Sequence, residues 1–428
     1  WEKQREWADR SYEARADCLR KFKELVASRQ EKLAAVLTAE MGKPLSQARN
    51  ELKGLAARID YFLTATPTVL APESVFSDLG QKMEERIHQE PLGVIANISA
   101  WNYPYFVGSN VFVPALLTGN AVLYKPSELA AMTGLEITAL LHESGVPKDV
   151  FAPVIGTGVQ GAQLVSQPIH GVFFTGSYPT GKRIAEAVAG RMVRTQFELG
   201  GKDPSYIADD ADVGQAAAST ADGAMYNAGQ SCCSVERIYA HTKIYDAFVD
   251  HFVREVAAFR MGSPTEEGVY IGPLTRAAQL DFLEKQVADA LAKGAKLRLG
   301  TGKREAGSKG NYFAPVVLTD VDHTMELMRE ESFGPVIGIQ RVRNDDEALD
   351  RMNDTLYGLT AGIYTRDRAR AEKILGRVHA GSAYWNCCDR VSPRLPWSGR
   401  GNSGLGSTLS RLGIQAFVRP KAWHLKSI

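Results

Sequence analysis

Cysteine is scarce in this sequence: only five occur in 428 residues, an odd number and too few for a disulfide framework at this length. Reduced thiols are the simpler interpretation, and we expect a cytoplasmic protein. The pairs Cys232–Cys233 and Cys387–Cys388 are adjacent in sequence and lack the two-residue spacing of zinc knuckles. We therefore predict no metal site.

An excess of charge and a long apolar run are also missing. Lys and Arg total 50 against 49 Asp and Glu, which argues against a nucleic-acid partner bound by bulk electrostatics. The most apolar stretch, residues 111–124, is interrupted by Pro114, Gly119 and Asn120. It is too short to span a bilayer, so we predict no membrane association.

The N-terminal region is charged and has a helical pattern. Residues 1–31 are dense in Lys, Arg, Glu and Asp, unlike a signal peptide, and the chain begins at Trp1 rather than Met, which leaves room for a preceding piece. Apolar residues then recur at mostly helical spacing before the Gly and Pro of "MGKP": Leu19, Phe22, Val26, Leu33, Leu37 and Met41. They predict one long amphipathic helix.

From about residue 92, short apolar runs alternate with helical segments. Strand-like runs such as "GVIANIS", "AVLYKP" and "GVFFTG" are separated by segments such as "GLEITALLHES", and a second series follows residue 200. This alternation predicts an α/β fold of two domains, each with a parallel sheet and helices on its faces. The segment 80–91 and the C-terminal tail fit neither series and could form an edge ribbon.

Two glycine-rich turns are candidate nucleotide sites. "GTGVQG" at 156–161 matches G-x-G-x-x-G, but no carboxylate follows at the spacing that ribose recognition needs, so we interpret it as a turn. In "FFTGSYPTGKR" an apolar strand leads through Gly176 and Ser177 into a helix, where backbone N–H groups could meet an anion or simply be Ser-capped. Lys125 and Glu128 of "YKPSE" could bind a ribose or be solvated charges.

The pair Cys232–Cys233 raises the question of a nucleophile. A free thiol is mostly protonated at neutral pH and needs help to ionise. The eight His residues are scattered, and none lies in a sequence like that of a thiol protease, which disfavours a cysteine hydrolase. Glu198 in "FELGGKDP" precedes two glycines, so it could project beside a flat bound group or be an exposed residue before a turn.

The order and spacing of six motifs are more specific than any one of them. "WNYP", "KPSE", "FTGSxxxG", "ELGGK", "GQSCC" and "EESFGP" occur in this order, with Glu198 and Cys232 34 residues apart. On these motifs the chain resembles the NAD(P)-dependent aldehyde dehydrogenase superfamily, from about residue 15 to the C-terminus. The resemblance implies a Rossmann-like cofactor-binding domain (1–72 and 92–199), an α/β catalytic domain (200–408) and a small β oligomerisation ribbon (73–91 and 409–428) in a homodimer or homotetramer.

The resemblance also implies a covalent mechanism. Cys232 would attack the aldehyde carbon, and Cys233 would pack in the interior as a small apolar residue. The side-chain amide of Asn102 and the backbone N–H of Cys232 would hold the oxyanion. Loss of hydride to the nicotinamide would leave a thioester on Cys232, which water activated by Glu198 would hydrolyse to the carboxylic acid.

Nine residues are implied in cofactor binding: Trp101, Lys125, Ser127, Glu128, Gly176, Ser177, Gly200, Glu331 and Phe333. Lys125 and Glu128 resemble the adenosine-ribose ligands, and Glu331 and Phe333 resemble the residues that hold the nicotinamide ribose and ring. A carboxylate at position 128 accepts ribose hydroxyls but repels a 2′-phosphate. NAD is therefore expected over NADP, although Lys125 leaves NADP possible.

The chain departs from the family pattern near its C-terminus. "SGLGST" has Ser407 and Thr408 where members often have an Arg-Glu pair, which puts a proton relay from the catalytic base in doubt. Trp397 in "LPWSG" replaces a more usual Phe. The change at Ser407 and Thr408 does not put the core reaction in doubt.

The substrate end is the least specific part of the sequence. Four aromatic residues could line an entrance or be core packing: Tyr105, Phe106, Tyr226 and Trp397. The sequence shows no clear arginine pair that would bind a dicarboxylate semialdehyde, although Arg390 and Arg394 lie in the substrate-loop region. We expect an aliphatic or aromatic aldehyde as the substrate, with a semialdehyde as the alternative.

Two other functions remain as alternatives. A CoA-acylating semialdehyde dehydrogenase typically lacks a carboxylate at the position of Glu198, so "ELGG" counts against it. A catalytically inactive structural or binding member is disfavoured because Cys232, Glu198 and Asn102 are all present.

Overall fold

The computed structural model describes residues 1–78, 82–305 and 307–427. Its helices within these ranges are α1 (Glu2–Ala8), α2 (Tyr12–Ser28), α3 (Gln30–Met41), α4 (Leu45–Leu70), α5 (Pro104–Leu117), α6 (Ala131–Glu143), α7 (Gly158–Ser166), α8 (Tyr178–Val188), α9 (Val213–Met225), α10 (Tyr245–Ala257), α11 (Ala277–Ala292), α12 (Asp345–Asn353), α13 (Arg368–Leu375) and α14 (Ser410–Gln415). Its strands are β1 (Glu73–Asp78), β2 (Met83–Pro91), β3 (Val94–Ile98), β4 (Ala121–Lys125), β5 (Phe151–Pro153), β6 (Gly171–Thr175), β7 (Arg194–Glu198), β8 (Asp203–Ile207), β9 (Val235–His241), β10 (Lys296–Leu299), β11 (Val316–Thr319), β12 (Val336–Val342), β13 (Thr360–Tyr364), β14 (Ser382–Trp385), β15 (Gly404–Leu405) and β16 (Val418–Lys426).

The N-terminal region forms two helices, so the prediction of one long helix is wrong. α2 ends at Ser28 and α3 begins at Gln30, with Arg29 between them at φ −112° and ψ 16°. The apolar spacing continues across the break, which is why the sequence pattern did not reveal it. The predicted end is confirmed: Gly42 follows Met41 at φ 79°, a conformation that favours glycine.

A six-stranded sheet carries the first series of strands in the order β15-β7-β6-β3-β4-β5. β15 runs antiparallel to β7, and the other neighbours are parallel. The chain builds outward from β3 to β4 and β5, then returns to add β6 and β7 on the other side. Such a reversal opens a crevice at the carboxyl ends of the strands, where ligands bind in α/β proteins.

A second, seven-stranded sheet has the order β10-β11-β12-β9-β8-β13-β14 and buries the largest apolar cluster of the described chain. Only β10 is antiparallel to its neighbour among the strand pairs described in this sheet. β8 follows β7 after the short "LGGK" segment, so the chain passes directly from one sheet to the other. The predicted α/β fold with two sheets is confirmed.

A small antiparallel sheet of order β1-β2-β16 stands apart from both. The predicted edge ribbon is therefore present, although residues 79–81 and 428 of the predicted oligomerisation segments lie outside the described residues. β1 and β16 are mostly exposed. The domain boundaries and the use of this sheet in oligomerisation stay predictions.

No described helix is both long enough and apolar enough to cross a membrane. Over the same residues, no group of three or more His, Cys, Asp or Glu side chains could hold a metal ion. All five cysteines are described, and all are free thiols.

Candidate active site

A cavity of about 710 Å³ lies at the carboxyl ends of β3, β4, β6 and β7. All twelve residues predicted for catalysis or cofactor binding line it: Trp101, Asn102, Lys125, Ser127, Glu128, Gly176, Ser177, Glu198, Gly200, Cys232, Glu331 and Phe333. Strand ends from one sheet and loops from the second sheet therefore meet around a single space. A cavity of this size is typical of a small-molecule or cofactor site.

The nucleophile loop is held in an unusual backbone conformation. Asn227, Ala228 and Gly229 adopt φ values of 55°, 54° and 71° in succession just before "QSCC". At Gly229 a Cβ atom would lie 2.3 Å from the backbone oxygen of Gly334, so no larger residue fits. This contact joins the cysteine loop to the "EESFGP" loop.

Cys232 and Cys233 have different surroundings. Cys232 is half-buried and lines the cavity, whereas Cys233 is only 5% exposed. The Cys233 thiol donates to Asp389 Oδ1 at 2.9 Å, so it packs in the interior as predicted but is not simply an apolar residue. A hydrogen bond with Cys232, burial and the Asp389 charge raise the pKa of Cys233, which keeps it a thiol.

Asn102 is fixed by a buried network that the sequence did not reveal. Its side-chain Nδ2 donates to the carbonyl of Gln230 in the cysteine loop at 3.1 Å. The backbone carbonyl of Asn102 accepts from Lys43 Nζ at 2.7 Å. Lys43 is ion-paired with Glu51 at 2.5 Å, and both of these side chains are fully buried. Glu51 Oε1 also accepts from the backbone N–H of Tyr105 at the start of α5.

We expect Glu51→Ala to lower the free energy of unfolding by about 3–5 kcal/mol, because it leaves the Lys43 ammonium buried without a counter-charge. Urea unfolding of the purified variant measures this loss. Glu31→Ala is the matched control, because Glu31 pairs with Arg49 at an exposed position, where an ion pair contributes little to stability. Equal losses of unfolding free energy in the two variants would contradict the role of Glu51 as the counter-charge of a buried Lys43.

Glu198 ends β7 and is 6% exposed. Its Oε1 accepts from Gln196 Nε2 at 2.8 Å and from Thr408 Oγ1 at 3.1 Å, while Oε2 is buried without a partner within the described residues. Burial raises the pKa of Glu198 well above its ordinary value, and the two hydrogen bonds oppose that rise. The departure at Thr408 therefore places a hydroxyl directly on this carboxyl group.

The two glycines after Glu198 permit close approaches. A Cβ atom on Gly200 would lie 2.2 Å from Glu331 Oε2, and one on Gly201 would lie 2.6 Å from the Cys232 carbonyl oxygen. Gly201 N–H also donates to Glu331 Oε1 at 3.0 Å. The "ELGG" motif thus lets the base-bearing strand, the cysteine loop and the "EESFGP" loop share one small volume.

A second buried pair supports the "EESFGP" loop. Glu236 on β9 accepts from the backbone N–H groups of Ser332 and Phe333 at 2.7 and 2.9 Å, and it pairs with Lys202 at 2.6 Å. Burial, with the nearby Glu236 charge as the next cause, raises the pKa of Glu331 to about 8. Sequence reasoning missed the pair that Glu236 forms with Lys202, the last residue of "ELGGK". The only signal of Glu236 was a charged residue inside an otherwise buried strand.

The opposite end of the cavity has residues suited to a nucleotide. Lys125 is 4% exposed and 3.9 Å from Glu128, and burial lowers its pKa. Ser177 precedes α8, so the N-terminus of that helix opens toward the cavity.

The interpretation of "GTGVQG" as a turn was incomplete: Thr157 caps α7, but Gly158, Gly161, Ala162 and Val165 also line the cavity.

The four predicted substrate residues, all in the described part of the chain, lie outside this cavity. Tyr105 is 0% exposed and belongs to the core, in agreement with the packing alternative. Trp397 is 6% exposed, and Tyr226 accepts a hydrogen bond from Asn50. Phe106 is half-buried and packs against the apolar cluster that includes Tyr105 and Trp397, and its role toward the substrate stays a prediction.

Comparison with known proteins agrees with this site. The model of the aldehyde dehydrogenase family matches residues 1–423. Peroxisomal aminoaldehyde dehydrogenase 2 of Malus domestica is 33% identical over 98% of this chain and 84% of that relative. The structure of 3,6-anhydro-L-galactose dehydrogenase in complex with NADP has a TM-score of 0.94 at 33% identity, covering 99% of this chain and 89% of that one. An NAD-dependent aldehyde dehydrogenase from Sinorhizobium meliloti has a TM-score of 0.94 at 32% identity, covering 98% and 83% of the two chains. The chain belongs to the aldehyde dehydrogenase family, whose members are NAD(P)-dependent enzymes.

Proposed function

We propose that this protein oxidises an aldehyde to the carboxylic acid with NAD(P)⁺, using Cys232 as the nucleophile and Glu198 as the base. The observation that carries the proposal is that Cys232, Glu198 and Asn102 line the same cavity as the nine residues implied in cofactor binding. Half-burial leaves the Cys232 thiol accessible from this cavity, whereas its neighbour Cys233 is sealed. Covalent catalysis needs such an accessible thiol beside a base.

The chain's own residues account for each step at the carbonyl group. Cys232 Sγ adds to the aldehyde carbon, and the oxyanion that forms is held by the Asn102 amide and the Cys232 backbone N–H. Each such donor is worth roughly 10²–10³ in rate. After oxidation the acyl group is a thioester on Cys232, and Glu198 takes a proton from the water that hydrolyses it. The Lys43–Glu51 pair keeps Asn102 in position throughout.

The residues around the cavity fit a dinucleotide. Glu331 and Glu128 offer carboxylates to ribose hydroxyls, and the N-terminus of α8 offers backbone N–H groups to a pyrophosphate. The absence of a side chain at Gly200 lets the Glu331 carboxyl group approach this strand end, because a Cβ there would lie 2.2 Å from Glu331 Oε2. When bound, NAD(P)⁺ supplies the acceptor for the two electrons of the oxidation.

We propose that NAD is preferred and that NADP can also be used. Glu128 would repel a 2′-phosphate, which supports NAD. Lys125 and Arg183, which both line the cavity, are cations that could compensate part of that repulsion. The relatives include both an NADP complex and an NAD-dependent enzyme, so the residues rather than the family carry this proposal.

A panel of short aldehydes assayed with NAD and with NADP tests the proposal. We expect the absorbance of the reduced nicotinamide to increase without added CoA, and we expect a higher kcat/KM with NAD than with NADP. A strict requirement for CoA would instead indicate an acylating enzyme. Absence of turnover with every aldehyde and both cofactors would contradict the proposed function.

We also propose a cytoplasmic homodimer or homotetramer. The exposed faces of β1 and β16 support association through the three-stranded sheet, because exposed strand edges invite pairing with another chain. The five free thiols support a reducing compartment. Gel filtration that gives the mass of a monomer would contradict the use of this sheet in assembly.

A further inference from the structure

One buried cation next to Phe106 has no role in the chemistry described so far. Arg58 lies on α4 and is 5% exposed. Its Nη1 donates to Asn110 Oδ1 at 2.7 Å, and its guanidinium carbon lies 4.1 Å from the centre of the Phe106 ring. Within the residues that the structure describes it has no ion pair and no second hydrogen bond, although a guanidinium carries five N–H donors.

The position of Arg58 is set by the same helix pair that positions Asn102. Glu51, Gly54 and Arg58 follow one another along the face of α4 that meets α5. Glu51 binds the first turn of α5, and Gly54 leaves room for Phe106, whose ring would lie 2.6 Å from a Cβ there. Arg58 then reaches Asn110, two turns beyond the start of α5. The guanidinium therefore lies beside the second turn of α5, whereas the oxyanion donor Asn102 comes two residues before that helix begins.

Arg58 is connected to the cysteine loop through the start of α5. The Phe106 ring under it stacks on Tyr103 with centroids 6.1 Å apart, and Tyr103 directly follows Asn102, whose amide donates to Gln230 in the cysteine loop. Burial lowers the pKa of Arg58 to about 10, and the negative charge of Glu51 opposes that lowering. Arg58 is thus charged at neutral pH, and leaving such a charge buried is costly unless an anion joins it.

We infer that Arg58 binds a carboxylate carried by the aldehyde substrate. The inference rests on the proposed aldehyde oxidation and specifies its substrate as a short semialdehyde with a terminal carboxylate. A planar guanidinium matches a carboxylate through paired N–H donors, and the Phe106 ring holds the plane of that fork. A cationic amine at the same place would be repelled, so the aminoaldehyde specificity in the name of the Malus relative is not expected here.

The nearby acidic groups do not offset Arg58. Glu51 is occupied by Lys43 and by the N–H of Tyr105. Asp389 accepts from the Cys233 thiol, and burial raises the pKa of Asp389 to about 7, so its charge is partly neutralised near neutral pH. Among the residues described, Arg58 is therefore left as a buried charge without an ion-pair partner.

Three aldehydes matched in length test the inference: 4-oxobutanoate, butanal and 4-aminobutanal. The corresponding five-carbon oxoacid, aldehyde and aminoaldehyde are assayed in parallel. In the wild-type protein we expect kcat/KM to be highest for the oxoacid and lowest for the amine. Arg58→Met should lower the ratio of kcat/KM for the oxoacid to that for butanal by roughly 100-fold, mainly through KM, because a buried partner of the carboxylate is lost. Arg58→Lys should lower the ratio less, since it keeps the charge without the fork.

Arg341→Met is the matched control. Arg341 also stacks on an aromatic ring, 4.0 Å from the centre of Tyr245, but it is exposed and paired with Asp246 far from the cavity. Its removal should leave the ratio unchanged. An unchanged ratio in Arg58→Met, or a wild-type preference for butanal or 4-aminobutanal, would overturn the role of Arg58 even if the variants fold poorly. Failure to oxidise any of the aldehydes would instead contradict the proposed function itself.

Discussion

Cys232→Ala is expected to lower aldehyde oxidation by at least about 10⁴-fold, the largest effect of any single change in this chain. Without the thiol there is no covalent adduct, although the cavity, Asn102 and the cofactor residues remain. The side chain is half-buried, so alanine leaves only a small space and the fold should be retained. Loss of activity would therefore report on chemistry rather than on stability.

Cys233→Ala is the matched control, one residue away in the same loop. We expect it to reduce turnover less than about tenfold, because the Cys233 thiol is committed to Asp389 and its raised pKa keeps it protonated. Rates of reduced-nicotinamide formation measure both variants. Alkylation with iodoacetamide, followed by mass spectrometry of the loop peptide, should label Cys232 first. Full activity in Cys232→Ala, or faster labelling of Cys233, would contradict the assignment of the nucleophile.

The sequence was most informative where chemistry coincides with a strand end. Asn102, Lys125, Gly176 and Glu198 each follow or end a short apolar run, and parallel strands bring their carboxyl ends to one edge of the sheet. A linear motif order could therefore be converted into a common site. The loops that carry Cys232 and Glu331 come from the second sheet. Only the family resemblance, and not the periodicity of the sequence, predicted that they share a site with the strand ends of the first sheet.

The supporting residues could not be predicted because their signals are non-local. α4 was not recognised as a helix, and its contribution depends on pairing with α5, some 50 residues later. Lys43, Glu51 and Arg58 have the composition of an ordinary solvated helix face. Only the packed structure shows that these charges are buried, and that two of them neutralise each other while the third is left over.

Glu198→Gln is expected to give one burst of reduced nicotinamide, equal to the enzyme concentration, followed by turnover lowered about 10²–10⁴-fold. Glutamine has nearly the same shape and can still contact Gln196 and Thr408, but it cannot accept a proton from water. Formation of the thioester should continue while its hydrolysis stalls. Stopped-flow absorbance separates the two phases, and an unchanged steady-state rate would remove Glu198 from the role of base.

The pH profile gives an independent test of the same carboxyl group. A base acts when deprotonated, so turnover should rise with pH through the pKa of Glu198, which burial raises well above its ordinary value.

The Thr408 hydroxyl lowers the pKa of Glu198 by binding the carboxylate. Thr408→Val removes this bond at nearly constant volume, so the acid limb of the kcat profile should move to higher pH. Ser407→Ala is the control, because Ser407 lies on the same loop and donates no hydrogen bond to Glu198 within the described residues. A limb that stays in place in Thr408→Val, or that moves equally in both variants, would show that another group titrates. The hydroxyl at position 408, which replaces the glutamate common in the family, would then have no part in setting the strength of the base.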